Sequence, residues 1–134
     1  MKAFSDTTVP VSRTQEAINK LLEKHDVEVH RWTMLPDGVV LEFKLSAGAF
    51  ALRLDYALGD ARSEDARRRQ VMRALHWHLK ARFDAIDFGI EDTVRAFLPY
   101  LITGPNRTLG EDVIDAMEQR KLGIDIPLLP EGRT

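Results

Sequence analysis

The order of periodicities along the chain constrains its fold more than any single residue does. Residues 63–88, SEDARRRQVMRALHWHLKARFDAIDF, place Val71, Leu75, Leu79, Phe83 and Ile86 at helical spacing, so that they form one apolar stripe. Ahead of that helix, apolar and polar residues alternate at period two, the pattern of half-buried strands. Val39, Leu41, Phe43 and Leu45 share one strand face, with Val40, Glu42 and Lys44 on the other. Phe50, Leu52, Leu54 and Tyr56 repeat the arrangement against Ala51, Arg53 and Asp55. A run over 27–34 precedes them, joined through Leu35-Pro36-Asp37-Gly38. Proline presets φ in that turn and glycine accepts a positive one. Ser46-Ala47-Gly48 makes the second connection. Earlier still, Ser12-Arg13-Thr14-Gln15 has capping-box spacing, and Ile18, Leu21, Leu22 and His25 line one face of the helix that follows. The fold class is α+β: an α-β-β-β-α order with a three-stranded antiparallel sheet packed against helices, plus a C-terminal helical extension.

That extension is read from punctuation. Gly89-Ile90 marks a helix stop with glycine in the left-handed region. A shorter helix over 91–98 is expected to supply Val94, Phe97 and Leu98 before Pro99 ends it. Gly104-Pro105-Asn106-Arg107 is a turn, and Thr108 to Glu111 repeats capping-box spacing. The last helix, about 109–121, is expected to turn Val113, Ile114 and Met117 inward. A chain of 134 residues suits a single domain, 1–134, with a flexible start at 1–10, a core at 11–88, helices at 89–123 and an apolar tail at 124–134. Ile124, Ile126, Leu128 and Leu129 in that tail are expected to dock on the domain's own surface.

Composition narrows the chemistry. There is no cysteine, hence no disulfide, thiolate metal site or cysteine nucleophile. No apolar run approaches the ~20 residues needed to span a bilayer, and the first ten residues lack the apolar core of a signal peptide. A soluble, cytoplasmic protein with no membrane partner is expected. Phosphate-binding glycine motifs and the G-x-S-x-G elbow are missing. His76 and His78 flank Trp77, but on a helix positions i and i+2 lie ~200° apart and cannot share one ion. His25 and His30 have no metal-ligand pattern beside them. Asp84, Asp87, Glu91 and Asp92 gather around Gly89, and Glu111, Asp112 and Asp115 around the last helix start, without calcium-loop spacing. No catalytic residue, metal or cofactor is therefore assigned, and the chain is expected not to be an enzyme.

The net charge of −2 is unevenly spread. Arg62, Arg67, Arg68, Arg69, Arg73, Lys80 and Arg82 outnumber Glu64, Asp65 and Asp84, giving residues 61–85 a balance of +4 in an otherwise acidic chain. Arg67, Arg68, Arg69, Arg73 and Lys80, together with Trp77, are the candidate residues for binding nucleic acid or a partner. The arginines crowd the start of a helix, where the backbone already favours anions. With this element order, over residues 12–85, the arrangement resembles the double-stranded-RNA-binding domain, which grips phosphates at that place. That family's histidine motif is missing and its lysines are replaced by arginines. Trp77 lies nearly opposite the Leu75–Leu79 stripe and is expected to pack under the C-terminal helices.

Several phrases are similar to a group of small uncharacterised proteins encoded by bacteriophages and prophages. They are Ser12-Arg13-Thr14-Gln15-Glu16, Arg73-Ala74-Leu75 with Leu79-Lys80-Ala81, Gly89-Ile90, Phe97-Leu98-Pro99-Tyr100 and Arg107-Thr108-Leu109-Gly110-Glu111. The resemblance implies a phage or prophage accessory protein that works in the bacterial cytoplasm by binding a host or phage macromolecule. The alternative is a nucleic-acid-binding module using the basic face of the long helix.

Overall fold

Pro10 sets the first boundary in the computed structural model, which describes residues 1–119. Its extended backbone leaves its carbonyl facing the amides of Arg13 and Thr14, so helix α1, Val11–Lys24, starts one residue before Ser12. Ser12 thereby falls inside the first turn, and the expected capping box does not form. Asp26 adopts a left-handed φ of 60°, and the Val27 amide donates back to Leu22 to close the helix. Three strands follow: β1 Val29–Met34, β2 Gly38–Leu45 and β3 Gly48–Asp55. They form an antiparallel meander in the order β1-β2-β3, with Leu41 opposite both Trp32 and Leu52.

A 3₁₀ turn over Tyr56–Leu58 leads to helix α2, Glu64–Phe88, capped by the Ser63 hydroxyl on the Ala66 amide. Gly89 ends it at φ 92°, and the Ile90 amide reaches the Ala85 carbonyl, the helix stop foreseen from the sequence. Ile18 and Leu22 of α1, Val39, Leu41 and Phe43 of β2, and Leu75, Leu79 and Phe83 of α2 make one core. Both helices therefore lie on the same face of the sheet, where period-two and period-3.6 stripes meet. Trp32 ties β1 to α1 through its indole N–H, which donates to Asn19 Oδ1 at 2.8 Å.

Helix α3 spans only Thr93–Phe97, capped by Asp92 on the Arg95 amide. It buries Ala96 and Phe97, whereas Val94 and Leu98, expected to be inside, are exposed. The short helix can turn one edge inward, and Phe97 takes that place among Phe43, Phe50 and Phe83. A 3₁₀ turn over Leu98–Tyr100 and a hairpin unforeseen from the sequence come next: β4 Ile102–Gly104 and β5 Arg107–Thr108, turning through Asn106 at φ 58°. Leu101 bridges to Phe50 and so attaches the hairpin to the outer edge of β3. Helix α4, Leu109–Glu118, closes the described chain. The tail at 124–134 lies outside the described residues.

Candidate binding site

The arginine run is built into the scaffold. Arg67 donates to the Ala61 carbonyl at 3.0 Å. Arg68 donates to the Pro36 carbonyl at 3.2 Å, pairs with Glu64 at 2.8 Å, and lies over the Tyr56 ring. Arg69 donates to the Thr7 carbonyl at 3.3 Å. Consecutive helical residues point in three directions, and here each direction meets a different loop. The run staples the start of α2 to the segment before it, to the β1–β2 turn and to residue 7. Lys80 pairs with Asp84 at 2.8 Å. Among the described residues, Arg73 makes no hydrogen bond or ion pair.

Trp77 is 46% exposed, and its packing partner is Phe4, whose ring lies 6.4 Å away and within 8° of parallel. The expected cover by C-terminal helices is replaced by the leading segment, which is itself tied down where a loose start was expected. Lys2 donates its amide to Asp60 at 2.8 Å and its ammonium to the Leu58 carbonyl at 2.7 Å. Gln70, 2% exposed, uses its whole carboxamide there. Its oxygen accepts from the Asp60 and Ala61 amides, and its nitrogen donates to Ala3 and to the Asp60 carboxylate. Those bonds, Gln70 first and the Lys2 amide next, hold the Asp60 carboxyl below its usual range.

Beneath the strap of residues 2–4, between β3 and α2, runs an apolar groove of about 450 Å³. Leu52, Leu54, Leu58, Val71 and Leu75 form its walls. At one end the Tyr100 hydroxyl and His78 Nε2 are hydrogen-bonded at 3.0 Å. Burial, and then the neighbouring Arg82, push the His78 pKa down. His76 faces away from that pair, against the edge of the Trp77 ring. Its pKa is lowered by burial and then by Arg73 and Lys80. His25 stands between the Leu21 carbonyl and Asp87, stacked on Phe83.

The acidic clusters are occupied by partners within the chain. Asp112 accepts from Thr103 and Arg107, and Arg107 also pairs with Asp115. Glu91 faces Arg82, and Asp92 caps α3. Among the described residues no three metal-ligating side chains converge, and no helix is long and apolar enough to cross a membrane.

The C-terminal region carries a different surface. Helix α4 buries none of its residues; Val113, Ile114 and Met117, expected inside, are 38%, 55% and 38% exposed. The reason lies at its first turn. Gly110 approaches Pro99 so closely that a Cβ there would sit 2.9 Å from the Pro99 carbonyl oxygen, and the helix docks at that point. Asp112 and Asp115 then turn toward Arg107, and Val113, Ile114 and Met117 stay exposed. Thr108 takes the N-cap position but its hydroxyl pairs with Glu111 and not with an amide. Phe88 and Ile90, at the end of α2, are also exposed. Sequence reasoning missed Phe4, Gln70 and Tyr100, since each acts through a contact remote in the chain. The one local signal was Gln70 standing beside Val71 on the core side of α2. No protein-family model, no curated protein and no solved structure matches this chain.

Proposed function

We propose that the protein is a non-enzymatic accessory protein, of phage or prophage origin, that binds a partner protein of host or phage in the bacterial cytoplasm. The observation that carries this reading is the apolar face of α4. Val113, Ile114 and Met117 lie within one ~100° sector of that helix and are left open. A helix face of this kind is a ready anchor for a groove on another protein. The basic cluster supports a nucleic-acid reading less well, because Arg67, Arg68, Arg69 and Lys80 already have partners within the chain.

The test replaces Val113, Ile114 and Met117 with glutamate and compares capture of proteins from bacterial lysate. The expected result is a protein held by the unchanged chain and lost from the variant, with the same melting temperature for both. Capture that ignores the triple change overturns the α4 assignment. A salt titration with DNA and RNA runs beside it. Affinity that falls steeply with salt, and that drops when Arg73 and Lys80 become glutamine, would put nucleic acid in place of the protein partner.

A further inference from the structure

The groove under the leading strap has the make-up of a small-molecule site. Its volume of about 450 Å³ falls within the range of ligand pockets, and its walls are apolar with few polar groups. The polar groups lie at its two ends. At one, Lys2 is engaged with the Leu58 carbonyl through its ammonium and with Asp60 through its amide. At the other stands Tyr100; Arg53, on the face of the edge strand β3 opposite Leu52 and Leu54, borders both the groove and the depression across the sheet, as Tyr100 does. Among the described residues Arg53 has neither ion pair nor hydrogen bond, and no carboxylate lines the groove, whereas Glu42 and Glu111 line the depression on the other side. His78 holds the Tyr100 hydroxyl at that end. An apolar channel bordered by an unpaired guanidinium and a phenol selects a ligand of matching polarity.

We propose that this groove binds a small anionic amphiphile of the fatty-carboxylate type. The hydrocarbon chain lies along Leu52, Leu54, Val71 and Leu75 beneath Phe4, and the anionic head meets Arg53 and Tyr100. The site is separate from the α4 face, so either can fail without the other.

Dodecanoate, kept below its micelle concentration, is the probe. Calorimetry measures affinity, and Trp77 emission in a Trp32→Phe background reports occupancy, because Phe4 stacks on that indole. Saturable single-site binding is expected. Ala74→Phe, which fills the groove from an exposed position on α2, abolishes it, and Ala74→Leu weakens it. Arg53→Gln weakens it about tenfold, the scale of one charge-assisted hydrogen bond. Dodecanol, with the same chain and no charge, binds more weakly by a similar factor. Circular dichroism and cooperative melting verify that each variant is folded. Absence of dodecanoate binding, binding unaltered by Ala74→Phe, or equal affinity for dodecanol overturns the proposal. So does binding to phosphatidylglycerol vesicles with none to monomeric dodecanoate, which would make the ligand a membrane surface.

Discussion

Helices α2 and α4 carry the same local instructions and meet different ends. Each follows a hydroxyl residue at its N-cap, opens with two acids in its first turn, and sorts apolar side chains to one face. α2 buries Val71, Met72, Leu75, Leu79 and Phe83 against the sheet and α1. α4 buries nothing. Amphipathic spacing states which side of a helix avoids water, but a surface must be present to receive it. For α2 the sheet supplies one; α4 meets the rest of the chain through Gly110 against Pro99 and through Asp112 and Asp115 at Arg107, the two acids on the side away from its apolar residues. The C-terminal region is anchored instead by Phe97, which reaches into the core from the five-residue α3.

That contrast is open to attack by mutation. Phe97→Ala removes a fully buried ring held by Phe43, Phe50 and Phe83, and should cost about 3–5 kcal/mol. Leu79→Ala, at the centre of α2, should cost about 2–5 kcal/mol. Denaturant titration measures both, and a near-neutral Phe97→Ala would mean that the C-terminal region is held elsewhere. Gln70→Ala leaves the Asp60 and Ala61 amides without their acceptor and should cost about 1–3 kcal/mol. Its additional mark is faster proteolysis within residues 1–9, which lose the bond to Ala3.

A smaller effect follows from pH. Burial lowers the pKa of His76 and His78, so the unfolded chain takes up these protons at higher pH than the folded one. The folded state is unpenalised above the ordinary imidazole value of about 6.5 and loses stability as pH falls below it. His78→Asn should flatten that slope in melting temperature between pH 7 and 5, while an unchanged slope removes His78 from the account. Ile114→Ser should be the mildest, within about 0.5 kcal/mol, since its side chain is already in water. A cost near that of Leu79→Ala would show the α4 face to be covered.

Much of the scaffold was legible because it depends on neighbours in the chain. Alternation in 39–45 and 50–56 and the glycine stop at Gly89 are short-range effects of side-chain direction and backbone geometry. The hairpin of β4 and β5 escaped notice, because strands of three and two residues have no period to read. The candidate residues fared unevenly for the same reason. Charge counting placed Arg67, Arg68 and Arg69 correctly at the start of α2 but could not see the Ala61, Pro36 and Thr7 carbonyls that engage them.

What the sequence determined by itself is the α-β-β-β-α order of the first 88 residues, the core stripe of α2 and the antiparallel meander, because periodicity and turn chemistry act over a few residues. What only the tertiary structure decided is which polar and apolar groups remain unmatched. Phe4 meets Trp77 across 73 positions of chain, Gln70 meets Ala3 across 67, and His78 meets Tyr100 across 22. A side chain's partner depends on where packing leaves the two backbones, and no local pattern carries that distance. The open face of α4 and the groove beneath residues 2–4 exist for that reason: both are remainders of packing, defined by what the core did not reach.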